Sequence, residues 1–405
     1  YASSPGGDRL IGWHVNNGKD QAASFFSANL FRERYYRPDV VARVLTTLNE
    51  SKALAKANAA LGQEHMAATQ PGFPPMVELL SPQEGSSFNT PTLPLRYRVR
   101  LQGEGLITHL QVKMDGRPWH RVAVPHRTEQ EWEGQMVVNL PAKDLKLGLI
   151  AENEHGVSEP AHVSLHWQGD MFEQSKPRLF LLAVGADSYD APEINMKDGK
   201  KGLHYAGQDA KDIAALMAQQ EGKLYREVVS RVLINEQATS RAILDGLEWL
   251  NQVTTAQDVA MVFLGGHAKL DHNLEYHFLP KDFTPGDYEH TAISYKKIKN
   301  TMANVPGKAL FLVDTKHAGG TIDMTKIIND LSAAENGVVV LAASTGGQES
   351  LEHKGWQNGA FTEALSEALQ GYADFTRDNI ITVSEARLYL AHRVKELTNA
   401  SRLQQ

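Results

Sequence analysis

Apolar residues change their spacing twice along the chain, and each change marks a different kind of structure. In residues 1–70, Gly12-Trp13 reads as a short strand or turn and Phe25, Phe26 and Phe31 as apolar anchors. Arg37-Pro38-Asp39 opens a helix with Val40, Val41, Val44, Leu45 and Leu48 on one face, and a second helix covers Ser51 to Leu61. The stretch Pro71-Gly-Phe-Pro-Pro75 is a linker by its proline content. Beyond it the period drops to two. Leu95, Tyr97, Val99 and Leu101 alternate with Arg96, Arg98 and Arg100. Leu110, Val112 and Met114 repeat the pattern, as do Met136, Val138 and Leu140, then Leu145, Leu147 and Leu149, then Val163, Leu165 and Trp167. Half-buried strands at this spacing predict an antiparallel β-sandwich of immunoglobulin type over residues 71–170.

From Lys176 onward, short apolar strands alternate with amphipathic helices, the mark of an α/β domain over residues 176–405 with a mainly parallel sheet and helices on both faces. Strands are expected at Leu179–Val184, 228–234, 259–264, 310–313 and 337–343, and helices at 209–219, 240–253, 360–369 and 384–397. Thr382-Val-Ser-Glu385 forms a capping box for the last helix. Two strands stand out for the polar residues at their ends. Val259–Leu264 runs into Gly265-Gly266-His267-Ala268, and Leu310–Val313 into Asp314-Thr315-Lys316-His317-Ala318-Gly319-Gly320. In open α/β sheets, sites are built at the carboxyl ends of strands. If these two are parallel neighbours, His267 lies beside residues 314 to 317, at a strand end in a Gly-rich turn where an imidazole is free to act as a base.

Composition narrows the chemistry. The 405 residues include no Cys, which excludes disulfides, thiolate metal sites and a Cys nucleophile together. A net charge of −7 with no basic run argues against nucleic acid or an anionic membrane as partner. No apolar run approaches the roughly 18 residues that span a bilayer, and the first residues lack the regions of a secretory leader. A soluble chain is expected, cytoplasmic rather than secreted. A first residue Tyr1 in place of Met suggests a fragment or processed product. His272, His277, His290 and His317 fall among loops without metal-ligand spacing, so neither a metal nor another cofactor is expected.

The order of strand-Gly-His267, Tyr276-His-Phe-Leu-Pro280, strand-Asp314-Thr-Lys316-His-Ala-Gly319-Gly320, Ala343-Ser344 and Gln348-Glu-Ser350 resembles the caspase-like cysteine peptidases. It is most similar to their bacterial metacaspase or orthocaspase branch. Asn358-Gly359-Ala-Phe361 and Gly371-Tyr-Ala-Asp374 match that family's closing segments. The resemblance implies a catalytic His at 267 and a nucleophilic Cys where this chain has Lys316. It implies an oxyanion-hole Gly where Ala268 stands, a Ser where Ala318 stands, and an acidic pocket for basic side chains from Asp209 and Asp314, with Ser344 beside it. Asp209 alone also reads as the N-cap of its helix. The segment from Gly12 to Val41 resembles the connector that follows a WD-repeat propeller in some bacterial members, which would place a propeller upstream.

A lysine amine attacking a peptide would leave a stable amide, so Lys316 reads as an inactivating replacement. The favoured reading is an inactive caspase-like protein serving as an interaction or regulatory module for a protein or peptide partner. Its relatives would be endopeptidases cleaving after Arg or Lys. The alternatives are a peptidase whose Cys has been substituted at 316, or a hydrolase using Thr315 or Ser344 with His267. Lys316 is further expected to form an ion pair with Asp209 or Asp314, plugging the pocket.

Overall fold

A computed structural model describes residues 1–4, 6–17, 19, 22–60, 72–103, 105–124, 129–169, 176–197, 200–201, 203–271, 275–317, 324–333, 336–343, 352–353 and 355–403. Residues 1–174 with 333–337 form one unit, and 175–332 with 338–405 the other.

In the first unit, alternation builds two sheets around one core. Met76–Ser81, Thr92–Arg100 and Glu131–Asn139 pair antiparallel. The second sheet runs in the order Ser86–Phe88, Ala161–Trp167, Leu145–Asn153, His109–Met114, Arg117–Ala123, and its first pairing is parallel. Leu95 and Val99 of one sheet and Val112, Leu147 and Leu165 of the other are buried together. Along the same central strand Arg96, Arg98 and Arg100 face outward and pair with Glu78, Glu131 and Glu133. At such exposed positions these ion pairs add little stability.

Helices occur at Pro38–Thr47 and Glu50–Ala60. Two details differ from expectation. Phe26 and Phe31 are buried but Phe25 is not, because neighbours on the strand Ser24–Ser27 must face opposite sides. Leu45 and Leu48 of the first helix are exposed, so its apolar face is covered only along Val40, Val41 and Val44.

The second unit contains strand β1 (Arg178–Gly185), helix α1 (Ala206–Ala218), β2 (Glu227–Ile234), α2 (Ser240–Val253), β3 (Val259–Leu270) and β4 (Tyr276–Phe278). Next come α3 (Tyr295–Asn304), β5 (Lys308–His317), α4 (Thr325–Leu331), β6 (Val339–Ala342), α5 (Ala360–Glu367) and α6 (Val383–Leu403). The parallel strands lie in the order β2-β1-β3-β5-β6. β4 runs antiparallel on the edge of β3 that β1 leaves free beyond Gly185.

Alternate residues of β1 enter two cores, which is why these strands read as continuous apolar runs. On one face Phe180, Leu182 and Val184 pack with Ile243, Leu247, Ile298 and Leu331 from α2, α3 and α4. On the other Leu179, Leu181 and Ala183 pack with Ile213, Phe361, Leu365, Leu390 and Leu397 from α1, α5 and α6. Each Val, Leu, Ile or Phe among them contributes about 1.5–3 kcal/mol of burial. The capping box of α6 is formed in both directions, with Glu385 N donating to Thr382 Oγ1 at 3.2 Å and Thr382 N donating to Glu385 Oε2 at 2.9 Å.

Candidate functional site

β3 and β5 pair in register from Val259↔Lys308 to Ala268↔His317, which sets His267 directly opposite Lys316. The expected Gly-rich turn after Leu264 is absent. β3 continues through both glycines to Leu270, and His267 is only 4% exposed. Gly266 makes this continuation possible. Its φ is +150°, and a Cβ there would lie 2.9 Å from Tyr189 Oη. That close approach lets the Tyr189 hydroxyl accept the His267 N–H at 2.7 Å while donating to Ala186 O at 3.0 Å. The His267 side chain turns to the facing strand, with Nδ1 3.3 Å from Lys316 O.

Thr315 is buried, and its Oγ1 accepts from Tyr276 Oη at 3.4 Å. Burial pushes the Tyr189 and Tyr276 phenols well above their ordinary range, so both remain protonated donors. Ala268 is fully buried within β3, and its backbone lies outside the positive-φ region, so the methyl is accommodated without strain. Ala318 and Ser344 lie outside the described residues.

Asp209 does not cap its helix. α1 starts one turn earlier, at Ala206, with Tyr205 at the N-cap making no side-chain cap. Asp209 is therefore inside the helix, 3% exposed, and its Oδ1 accepts the Gly359 N–H at 3.0 Å. Asp314 approaches the same residue from β5. A Cβ on Gly359 would meet Asp314 Oδ2 at 2.7 Å and Asp209 Oδ2 at 3.1 Å. The two carboxyl groups thus flank one glycine, and a methyl there would crowd both. Burial first, and then the Asp314 charge, push the Asp209 carboxyl up to about 8 from its ordinary 3.8.

The capping role expected of Asp209 falls to residues that sequence reasoning left out. Glu352 accepts the N–H groups of His204 at 2.9 Å and Tyr205 at 3.0 Å, just ahead of α1. Asp187 accepts that of Gly207 at 3.1 Å. Both carboxylates sit where the helix dipole favours negative charge. Glu352 belongs to the same two-stranded ribbon as Gly359, with Glu352↔Gly359 and His353↔Asn358 paired. Burial raises the Glu352 carboxyl, and the Lys316 charge opposes that rise.

Lys316 accordingly sits in the field of Glu352. The expected ion pair with Asp209 or Asp314 is not formed, and among the described residues Lys316 has no ion pair within 4.0 Å. The acidic pair is not plugged by it. Of the residues missed, Tyr189 had a sequence signal in the polar run Asp187-Ser-Tyr189-Asp190 after the first apolar strand. Glu352 had none beyond its nearness to Glu349. For metals, the ligating atoms of Asp271, Glu275 and His277 lie within 4.8 Å of one another.

A family model described as the caspase domain matches residues 180–404. No curated protein matches. Among solved structures, a Geobacter sulfurreducens protein aligns at 16% identity over 48% of this chain and 82% of its own, with a TM-score of 0.35. Fibronectin(III)-like modules of Clostridium thermocellum CbhA align at 15% identity over 25% and 51%, with a TM-score of 0.19. A Pyrococcus furiosus CARDB domain aligns at 18% identity over 25% and 100%, with a TM-score of 0.20. TM-scores this low carry no assignment of fold.

Proposed function

Because the chain belongs to the caspase domain family and has Lys316 where the motif order puts that family's Cys, we propose that it is a caspase-fold protein without peptidase activity. It serves as an interaction or regulatory module, holding a basic side chain of a protein or peptide partner at Asp209 and Asp314. The observation behind this reading is the His267–Lys316 pairing, which puts an amine-bearing residue at the position where the imidazole would need a thiol. A thiolate forms a labile acyl intermediate, whereas an amine gives an amide that water does not release. Thr315 gives no support to a substitute nucleophile, since its hydroxyl meets Tyr276.

A buried carboxyl group such as Asp209 that keeps its proton near neutral pH lacks a compensating charge, and a guanidinium or ammonium reaching it would take the proton's place. Among the described residues Lys316 forms no ion pair with either carboxyl group. In the same reading the chain is of the bacterial metacaspase branch and stays in the cytoplasm. Residues 71–170 are an immunoglobulin-like spacer, residues 1–70 a connector that follows a WD-repeat propeller, and residues 176–405 the binding domain. The test is an assay against arginine- and lysine-containing peptides. No cleavage is expected from the chain as it stands, and turnover at rates typical of peptidases would overturn the proposal.

A further inference from the structure

β3 outruns its neighbour β1, and the hairpin it forms with β4 brings together three side chains that have no role in the His267–Lys316 site. Asp271 follows the last residue of β3, Glu275 precedes β4, and His277 is the middle residue of β4. The turn is closed by its own backbone, with Asp271 N donating to Glu275 O at 3.0 Å, and by Glu275 N donating to Asp271 Oδ1 at 2.8 Å. His277 is 5% exposed.

We propose that Asp271, Glu275 and His277 bind a divalent transition ion of the zinc class, which clips this hairpin shut beside His267. Three observations support it. The ligating atoms already lie within 4.8 Å of one another. His277 Nε2 and Asp271 Oδ2 are 3.4 Å apart, long for a charge-assisted hydrogen bond, which prefers about 2.7–2.9 Å. Yet two ligands about 2.1 Å from a shared tetrahedral ion are separated by about 3.4 Å. Finally, that long contact is the one hydrogen bond His277 Nε2 makes among the described residues, although the side chain is 5% exposed. A buried polar group used so poorly calls for a missing partner.

The ligand set selects the ion. Ca²⁺ takes six to eight oxygens, whereas two carboxylates and one imidazole nitrogen suit zinc with a water in the fourth position. His277 pairs across the hairpin with Lys269, two residues beyond His267 on the same strand, so an ion here would hold that extension of β3 in place.

The test is calorimetric titration of the metal-free full chain with zinc chloride, repeated for Asp271→Asn, Glu275→Gln and His277→Gln. Calcium chloride serves as the comparison, and thermal melts of each variant without metal control for folding. One zinc per chain is expected in the tightest class, and each substitution should weaken it at least about tenfold, since even losing a supporting partner of a ligand costs that much. Asp271 and Glu275 are half-buried, so their variants report even if His277→Gln fails to fold. No stoichiometric zinc binding, unchanged affinity in the Asp271→Asn and Glu275→Gln variants, or tighter binding of calcium than of zinc would each overturn the assignment.

Discussion

Replacing Asp209 with Asn should change how the stability of the chain depends on pH. The folded protein holds the Asp209 proton up to about pH 8, while the unfolded chain releases it near 3.8. Between these values the folded state binds the extra proton, so stability falls as pH rises. At about 1.36 kcal/mol per pKa unit the gap corresponds to a loss on the order of 5 kcal/mol between pH 4 and pH 8. Asn cannot ionise, but its carbonyl oxygen can still accept the Gly359 N–H. Urea unfolding of both proteins from pH 4 to pH 8 measures the difference. Near pH 4 the variant should match the parent or be slightly weaker, and by pH 8 it should be more stable by a few kcal/mol. Parallel stability curves across the whole range would refute the reasoning, since they would mean that Asp209 titrates alike in the folded and unfolded chain.

Other substitutions probe the same site. Glu352→Ala removes the acceptor of two N–H groups ahead of α1 and should cost about 1–2 kcal/mol in chemical denaturation, with Glu352→Gln recovering much of it. Gly359→Ala puts a methyl 2.7 Å from Asp314 Oδ2 and should destabilise the fold by about 1–3 kcal/mol, most visibly at high pH where Asp209 is charged. Lys316→Cys should restore little peptidase activity, staying about 10²-fold or more below that of an active family member. His267 is only 4% exposed with Nδ1 turned to Lys316 O, so it is poorly placed as a general base, a role worth about 10²-fold or more. Full activity of that variant on arginine substrates would contradict this reading of His267.

The α/β half was readable because buried parallel strands are continuous apolar runs, and the adjacency of Val259–Leu264 and Leu310–Val313 followed from their shared form. What misled was local. Gly265-Gly266 looks like a turn, but the glycines serve the close approach of Tyr189 and the strand runs on. Asp209 looks like a cap because it precedes an amphipathic run, yet acceptors from Glu352 and Asp187, remote in sequence, let the helix begin a turn earlier. The facing of Asp209 and Asp314 across Gly359 was legible only through the family resemblance. Nothing local in either segment points at the other, and several strands and helices separate them in the chain. The hairpin at Asp271, Glu275 and His277 was hidden for a related reason, since spacings of four and two residues match no helical or loop metal motif and become a cluster only when β4 folds back on β3.

The most direct test of the account is one fluorescence-anisotropy trace of a labelled arginine-containing peptide mixed with the chain. The anisotropy should rise on binding and hold for hours, because the peptide is retained and not cut. With Asp209→Asn or Asp314→Asn the rise should need at least about tenfold more protein, the loss of one charged partner of a desolvated cation. A rise that decays below the starting value as fragments are released, or a binding curve that neither substitution moves, would contradict it.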